Sequence, residues 1–362
     1  MTRRSRLRPL LAVCSLLAAT AAVAVVTSPG AGALTVIDVT TTVDGDPGSL
    51  RDAFDQADAA SPDDAEIRLQ SGAVYELTCD EGGALEHTEA NELEIVGNGA
   101  TIRQTCEGER VISNIGSAGT LIVEHVWITG GDLPDGSAGG GIGASSSGLE
   151  VAYSTISGNS AGSGGGIFVT GGGDAVLINS TVADNVAVVD SGVGGVETQG
   201  TLTLVYSTVA GNTQASDSQA ANVSTGGDLE IFGSVIGDPI GPDPFDCSIT
   251  GDTFSFGYNF SSDASCGLDD PTDLVGGDPG LAPLADNGGG TPTRMPSATS
   301  PLIDHVALAE CAFDEIDDDQ RFVVRPQGAA CDTGAVEREV TPDDDSSTGG
   351  SDQSDIVLRF TG

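Results

Sequence analysis

The run Leu149-Glu150-Val151-Ala152-Tyr153-Ser154-Thr155-Ile156-Ser157-Gly158-Asn159 sets the architecture, because it recurs. It returns 26 residues later, starting at Ala175, and 27 residues after that, starting at Leu202. Residues 121–131 form an upstream copy, and a fifth, from Leu229 to Ile236, keeps the register until Pro239 breaks it. The columns agree: Ser154, Ser180, Ser207 and Ser234; Thr155, Thr181 and Thr208; Ile156, Val182, Val209 and Ile236; Asn159, Asn185 and Asn212. Apolar positions alternate, β-branched residues are frequent and each copy exits through Gly or Asn, so each reads as strand and turn rather than helix. A period of this size is one coil of a solenoid.

A leucine-rich repeat would need helical return segments. The returns here are Gly, Ser, Asp and Val, which form helices poorly. A parallel β-helix fits instead: coils stack roughly 4.8 Å apart, so each column becomes a ladder of like side chains. Asn159, Asn185 and Asn212 are expected at sharp left-handed turns, their amides bonding along the axis. Runs of small residues at 139–142, 164–167, 192–196 and 220–223 mark a second strand per coil. No helix pattern follows these glycines, so they are packing positions and not a phosphate cradle.

Residues 1–33 read as an export signal: Arg3, Arg4, Arg6 and Arg8, an apolar stretch over 10–26, then Ala31-Gly32-Ala33. No later apolar run reaches the roughly 18 residues needed to cross a bilayer. Beyond the signal stand six cysteines, an even number that implies disulfides in an exported chain. Neighbours would close short loops, Cys79 with Cys106, Cys247 with Cys266 and Cys311 with Cys331, although spacing leaves other pairings open. The chain has 13 basic residues, all Arg, against 54 acids. Without the four signal arginines the balance is 9 − 54 = −45. Such a surface repels nucleic acid and anionic membranes and favours counter-cations.

The expected organisation is a signal over 1–33, a β-helix domain over 34–340, and an acidic linker with a short tail over 341–362. Within the domain, 34–60 is a cap, 93–237 holds the regular coils and 238–340 is irregular. Ser49-Leu50-Arg51-Asp52 is a capping box, followed by Leu50, Ala53, Phe54 and Ala57 on one helical face. That helix would cover the open apolar end of the first coil.

Three sets of motifs carry a resemblance. Pro47-Gly48-Ser49-Leu50-Arg51-Asp52-Ala53 resembles the CSLREA-type start of secreted bacterial β-helix proteins, with Asp52 where that pattern has Glu. The Gly-Gly-Gly-Ile and Ser-Thr-Ile-x-x-Asn repeats are similar to those of right-handed parallel β-helix and polymorphic outer-membrane-type proteins. The motifs from Asp286 to Glu337, among them Asp319-Gln320-Arg321, Arg325-Pro326 and Cys331-Asp332-Thr333-Gly334, resemble the C-terminal part of the choice-of-anchor Q family. The resemblance implies an all-β, right-handed, pectin-lyase-like β-helix in an exported protein, and no settled activity.

For chemistry, a lyase acting on acidic pectin needs a base, commonly Arg, and the repeats lie in a stretch, 111–292, with no Arg or Lys. A hydrolase needs carboxylates about 5–9.5 Å apart on one face. Asp184 and Asp238 share a column but Gly211 separates them, and no column of the repeats is expected to pair acids on adjacent coils. His125, Tyr153 and Tyr206 share a column expected to face outward. His125 reads as a solvated ladder member, and the two tyrosines as lateral packing under a loop or as a platform for a sugar. Calcium is the cofactor to test, with Asp132, Asp135, Asp269, Asp270, Asp273, Asp317 and Asp319 as candidate ligands in oxygen-rich loops. A solvated acidic loop is the plainer reading. The function expected is a secreted or cell-surface protein with a structural, adhesive or binding role and an extracellular glycan or surface component as partner. The alternative is a polysaccharide-active enzyme, a glycoside hydrolase or lyase on the same fold.

Overall fold

The computed structural model describes residues 33–339 apart from 115–118, 135, 146–147 and 217–219. The expected signal and acidic tail lie outside the described residues. The rest winds as a parallel β-helix with three walls. Wall 1 includes Leu149–Ala152, Ala175–Ile178, Leu202–Val205 and Leu229–Phe232. Wall 2 includes Thr155–Ser157, Thr181–Ala183, Thr208–Ala210 and Val235–Gly237. Ile142–Ala144, Ile167–Val169, Val196–Thr198 and Ala220–Thr225 lie in wall 3.

The register is the one the repeats define. Ile156 pairs with Val182, Val182 with Val209 and Val209 with Ile236, all in parallel. These residues and Val151, Leu177 and Leu204 point inward and are buried. Each buried aliphatic side chain contributes about 1.5–3 kcal/mol, enough to make a one-residue slip prohibitive.

Two corners bend each coil, and both use left-handed backbone. Between walls 1 and 2 the bending residues are His125, Tyr153, Asn179, Tyr206 and Gly233, with φ of 52°, 52°, 43°, 46° and 55°. The next residue is the Ser of the repeat, except after His125, where it is Val126, whose N donates to Ser154 Oγ at 3.1 Å. Ser154 N donates to Ser180 Oγ, Ser180 N to Ser207 Oγ and Ser207 N to Ser234 Oγ, at 3.2, 3.3 and 3.0 Å. After wall 2 the bend falls on Gly158, Asp184, Gly211 and Asp238, all at positive φ. The expectation that the Asn residues take the left-handed turn is thus corrected: the residue before each Asn takes it. Asn159, Asn185 and Asn212 turn inward, and each amide donates to the next, at 3.0 Å at every step as far as Asn222.

The helix Leu50–Ala59 buries Leu50, Ala53, Phe54 and Ala57 against the first coils. Ser49 Oγ accepts from Asp52 N, but the Asp52 carboxylate reaches one residue further back than a capping box requires, to Gly48 N at 2.6 Å. At the other end the rows continue past Pro239. Phe245–Ile249, Thr253–Ser255, Phe260–Ser261 and Leu274–Val275 extend all three walls, so part of the region expected to be irregular is stacked. Disulfides join Cys79 to Cys106, Cys247 to Cys266 and Cys311 to Cys331. Residues 278–339 then leave the stack and run back outside it, along the corner between walls 1 and 2, as a strap.

Candidate functional site

The strap reads the repeat column by column. Thr155 Oγ1 donates to Pro292 O at 2.5 Å, and Thr181 Oγ1 donates to Gln320 Oε1 at 2.6 Å. Gln320 Nε2 donates to Thr155 Oγ1 and Thr291 Oγ1, and Ala335 N donates to Thr208 Oγ1. The outward Thr ladder of wall 2 is therefore a docking strip. Beside it, Ala152, Ile178, Val205 and Phe232 on the outer face of wall 1 pack with Val306, Ile316 and the Cys311–Cys331 bridge in a second apolar core outside the solenoid.

The residues singled out as ligand contacts are spent in this corner. Tyr206 is fully buried; its hydroxyl donates to Cys311 O at 3.0 Å, and the Arg325 guanidinium lies 4.3 Å from its ring centroid. Tyr153 stacks on Phe322 at 4.9 Å and donates to Asp318 Oδ1 at 2.9 Å. Neither ring offers an open face to a sugar. His125 is not a solvated ladder member either, since Nε2 meets Gly289 O at 2.5 Å and Phe322 packs edge-on to its ring. Three apolar faces on one column attract cover, and the strap supplies it.

Charge holds the strap in place. Arg325 and Glu337 form a fully buried pair at 3.2 Å, and the guanidinium also donates to Asp332 O and Gly334 O. Arg321 pairs with Asp319 at 2.9 Å and donates to Asn287 O and Glu337 O. Arg294 reaches into the second corner and bridges Asp184 and Asp238 across Gly211, at 2.5 and 3.5 Å.

The calcium candidates are not brought together. Asp319 accepts from Arg321 N, Val323 N and Glu337 N as well as from the Arg321 side chain, so it is a strap anchor rather than a free ligand. Asp132 accepts from Ser160 Oγ. Asp270 caps its own loop through Thr272, and Asp273 accepts from Asn259, Ser255 and Asp270 N. Asp269 and Asp317 are exposed, and Asp135 lies outside the described residues. Among the described residues no group of three or more His, Cys, Asp or Glu side chains is placed to hold a metal ion.

Acids do gather on the outer face of wall 1, below the strap's apolar core. Glu66 pairs in register with Glu94 on the adjacent coil; Glu94 pairs with Ile122 and Ile122 with Glu150. Glu124 sits one coil below Ala152 on the same face. The expectation that no column pairs acids on adjacent coils is corrected by these early rows. Glu150 is only 8 % exposed, and its Oε1 has no hydrogen-bond partner. Burial, then the neighbouring Glu92, Glu94 and Glu124, push its pKa up to about 7. A carboxyl group that holds its proton near neutrality beside other carboxylates can donate that proton, or a hydrogen bond, to a bound group. A signal for this face existed: Glu94 and Glu150 each follow the Leu that opens a strand, 56 residues or two coils apart. The rows at Glu66 and Glu94 lack the Ser-Thr pair that marks the later repeats, so the columns defined by that pair do not reach them.

No protein-family model and no curated protein matches the sequence. Among solved structures the chain is similar to the crystal structure of the pectate lyase Pel9A, with a TM-score of 0.34 and 14% identity over 84% of this chain and 96% of that one. A likeness of that size carries no argument about activity.

Proposed function

We propose that this chain is an exported β-helix protein, secreted or held at the cell surface, whose role is to bind or build rather than to catalyse. The observation that supports it best is the strap. It closes the aromatic and Thr columns of the repeats with buried ion pairs and a disulfide, and turns the corner between walls 1 and 2 into rigid scaffold. Rigidity of this kind suits a module that presents a surface outside the cell. The signal-like residues 1–33, the CSLREA-type opening, the choice-of-anchor Q-like motifs within the strap and the acidic linker after residue 340 agree with an exported and surface-associated module. An extracellular glycan or surface component is the partner proposed. The test is fractionation of the source cells with antibody detection, together with depolymerase assays on neutral and acidic glycans. Protein at the surface or in the medium without turnover is expected; reproducible turnover ends the non-catalytic reading.

A second reading, a polysaccharide-active enzyme, is favoured by one observation, the raised carboxyl of Glu150 among Glu92, Glu94 and Glu124. If that reading holds, Glu150→Gln abolishes the turnover seen in the same assays without lowering the melting temperature.

A further inference from the structure

The strap leaves the first rows of wall 2 uncovered. Val74-Tyr75-Glu76, Thr101-Ile102-Arg103 and Trp127-Ile128-Thr129 lie there side by side in parallel register. Tyr75, Ile102 and Ile128 are buried inside the coil, so by alternation Val74, Glu76, Thr101, Arg103, Trp127 and Thr129 face outward, Thr101 being covered by its neighbours and the other five open to solvent in part or in full. Val74 is 44 % exposed, and Arg103 and Glu76, with side chains 43 % and 59 % exposed, form an ion pair at 3.5 Å. Trp127 is half-buried and is the single tryptophan of a chain with only 4% aromatic residues. Its Nε1 donates to the buried Ser157 Oγ at 2.8 Å, which pins the indole and turns its one polar group inward. What remains for contact is the apolar ring. On the next coil Thr155, the register partner of Trp127, is already taken by Pro292, so the patch ends at the edge of the strap as at a step.

We propose that this patch is a carbohydrate-binding platform for a neutral glycan, with Trp127 packing against the apolar face of a sugar ring and Arg103 and Glu76 bonding its hydroxyl groups. An indole with one fixed edge, flanked by a donor fork and an acceptor pair, matches a ligand that carries C–H faces and hydroxyls together. Half a dozen side chains are far fewer than the 20–30 per side of a stable protein interface, so a protein partner is disfavoured. The strongly acidic surface repels anionic polymers, and the Arg103–Glu76 pair is locally neutral, which selects uncharged sugars. This assignment rests on the binding role proposed above and gives that role a place and a ligand class.

Since Trp127 is the single tryptophan, its fluorescence reports on the site directly. The full chain is titrated with neutral gluco-, manno-, xylo- and chito-oligosaccharides, followed by calorimetry and by tryptophan emission. A saturable shift in emission is expected for at least one of them. Trp127→Ala weakens that binding about tenfold or more by calorimetry, Trp127→Phe retains part of it, and Arg103→Ala weakens it severalfold, all with the circular dichroism spectrum and the cooperative melt of a folded chain. Glycan binding with silent emission and an unaffected Trp127→Phe variant overturns this site and leaves the binding role standing. No binding of any neutral glycan also overturns the platform, and the surface role is then judged by the fractionation experiment alone.

Discussion

A β-carbon on Gly211 would lie 2.3 Å from an Arg294 guanidinium nitrogen, and the backbone there has φ +70°. Both facts favour glycine: a side chain would have to push aside the tip of Arg294, which is held by its ion pairs, and a left-handed L-residue costs roughly 1–2 kcal/mol, a cost that Asp184 and Asp238 bear in the same column. Gly158, one of the same column, has only Thr129 Oγ1 near its would-be β-carbon, at 3.2 Å. Gly211→Ala is therefore expected to cost about 2–4 kcal/mol in urea denaturation and Gly158→Ala about 1–2. Equal losses would show that Arg294 adds nothing to the corner. Arg325→Leu leaves Glu337 buried beside a vacated guanidinium site and should cost about 3–5 kcal/mol, more than any surface Arg. The repeated Ser-Thr pair was plain in the sequence, but the roles of its members were not. Ser bonds to its own neighbour on the next coil, which the 26-residue spacing implies. The partners of Thr, Gln320 and Pro292, lie well over 100 residues away in a segment with no periodicity.

Strands, coil register and the capping helix could be read from the amino acids because each is encoded locally, by alternation, spacing and a Ser N-cap. The strap could not, since its residues show neither the period of two nor that of 3.6, and loops carry no register of their own. Its motifs were noticed, and their physical meaning, a set of anchors for an outer face, waited for the fold. Deleting residues 278–339 should leave the coils intact by circular dichroism but bare Ile178, Val205 and Phe232. Binding of a hydrophobic dye and self-association in gel filtration are the expected results. A monomeric, dye-silent truncation would mean that this outer core needs no cover. The Asn ladder makes a second claim about elements. Asn185→Leu cuts the side-chain bonds from Asn159 and to Asn212, takes the acceptor from the buried Asn159 N and the donor from Ile156 O, and should cost about 2–5 kcal/mol by denaturant melt.

Across the molecule, burial raises five carboxyl groups, and three of them far: Glu150 and Asp246 to about 7 and Asp332 to about 6, with Asp238 and Asp314 shifted in the same direction. Their folded pKa values lie above the unfolded ones near 4, so between roughly pH 4 and 7 the folded chain binds more protons than the unfolded chain. Stability is then greatest below about pH 4 for these groups and declines as pH rises through that window. The melting temperature should be higher at pH 5 than at pH 8. Glu150→Gln should flatten part of that decline, recovering up to about 3 kcal/mol at pH 8. A flat pH profile in the native protein would contradict the burial of all three. The charge of −45 beyond the expected signal acts in the same direction, and added salt should raise the melting temperature at pH 8 more than at pH 5. The excess of acid was evident from composition, whereas the raised groups depend on which acids folding covers.

Because Gly290 meets Gly99 near one end of the stack while Thr333 donates to Tyr258 O and Gly334 N to Gly233 O near the other, the contacts of the strap span most of the axis of the stack. A chain emerging amino end first completes every rung before this latch exists. Closure then works as an inspection: a missed or doubled rung shifts every tooth of the lock by about 4.8 Å, and the bolt does not seat.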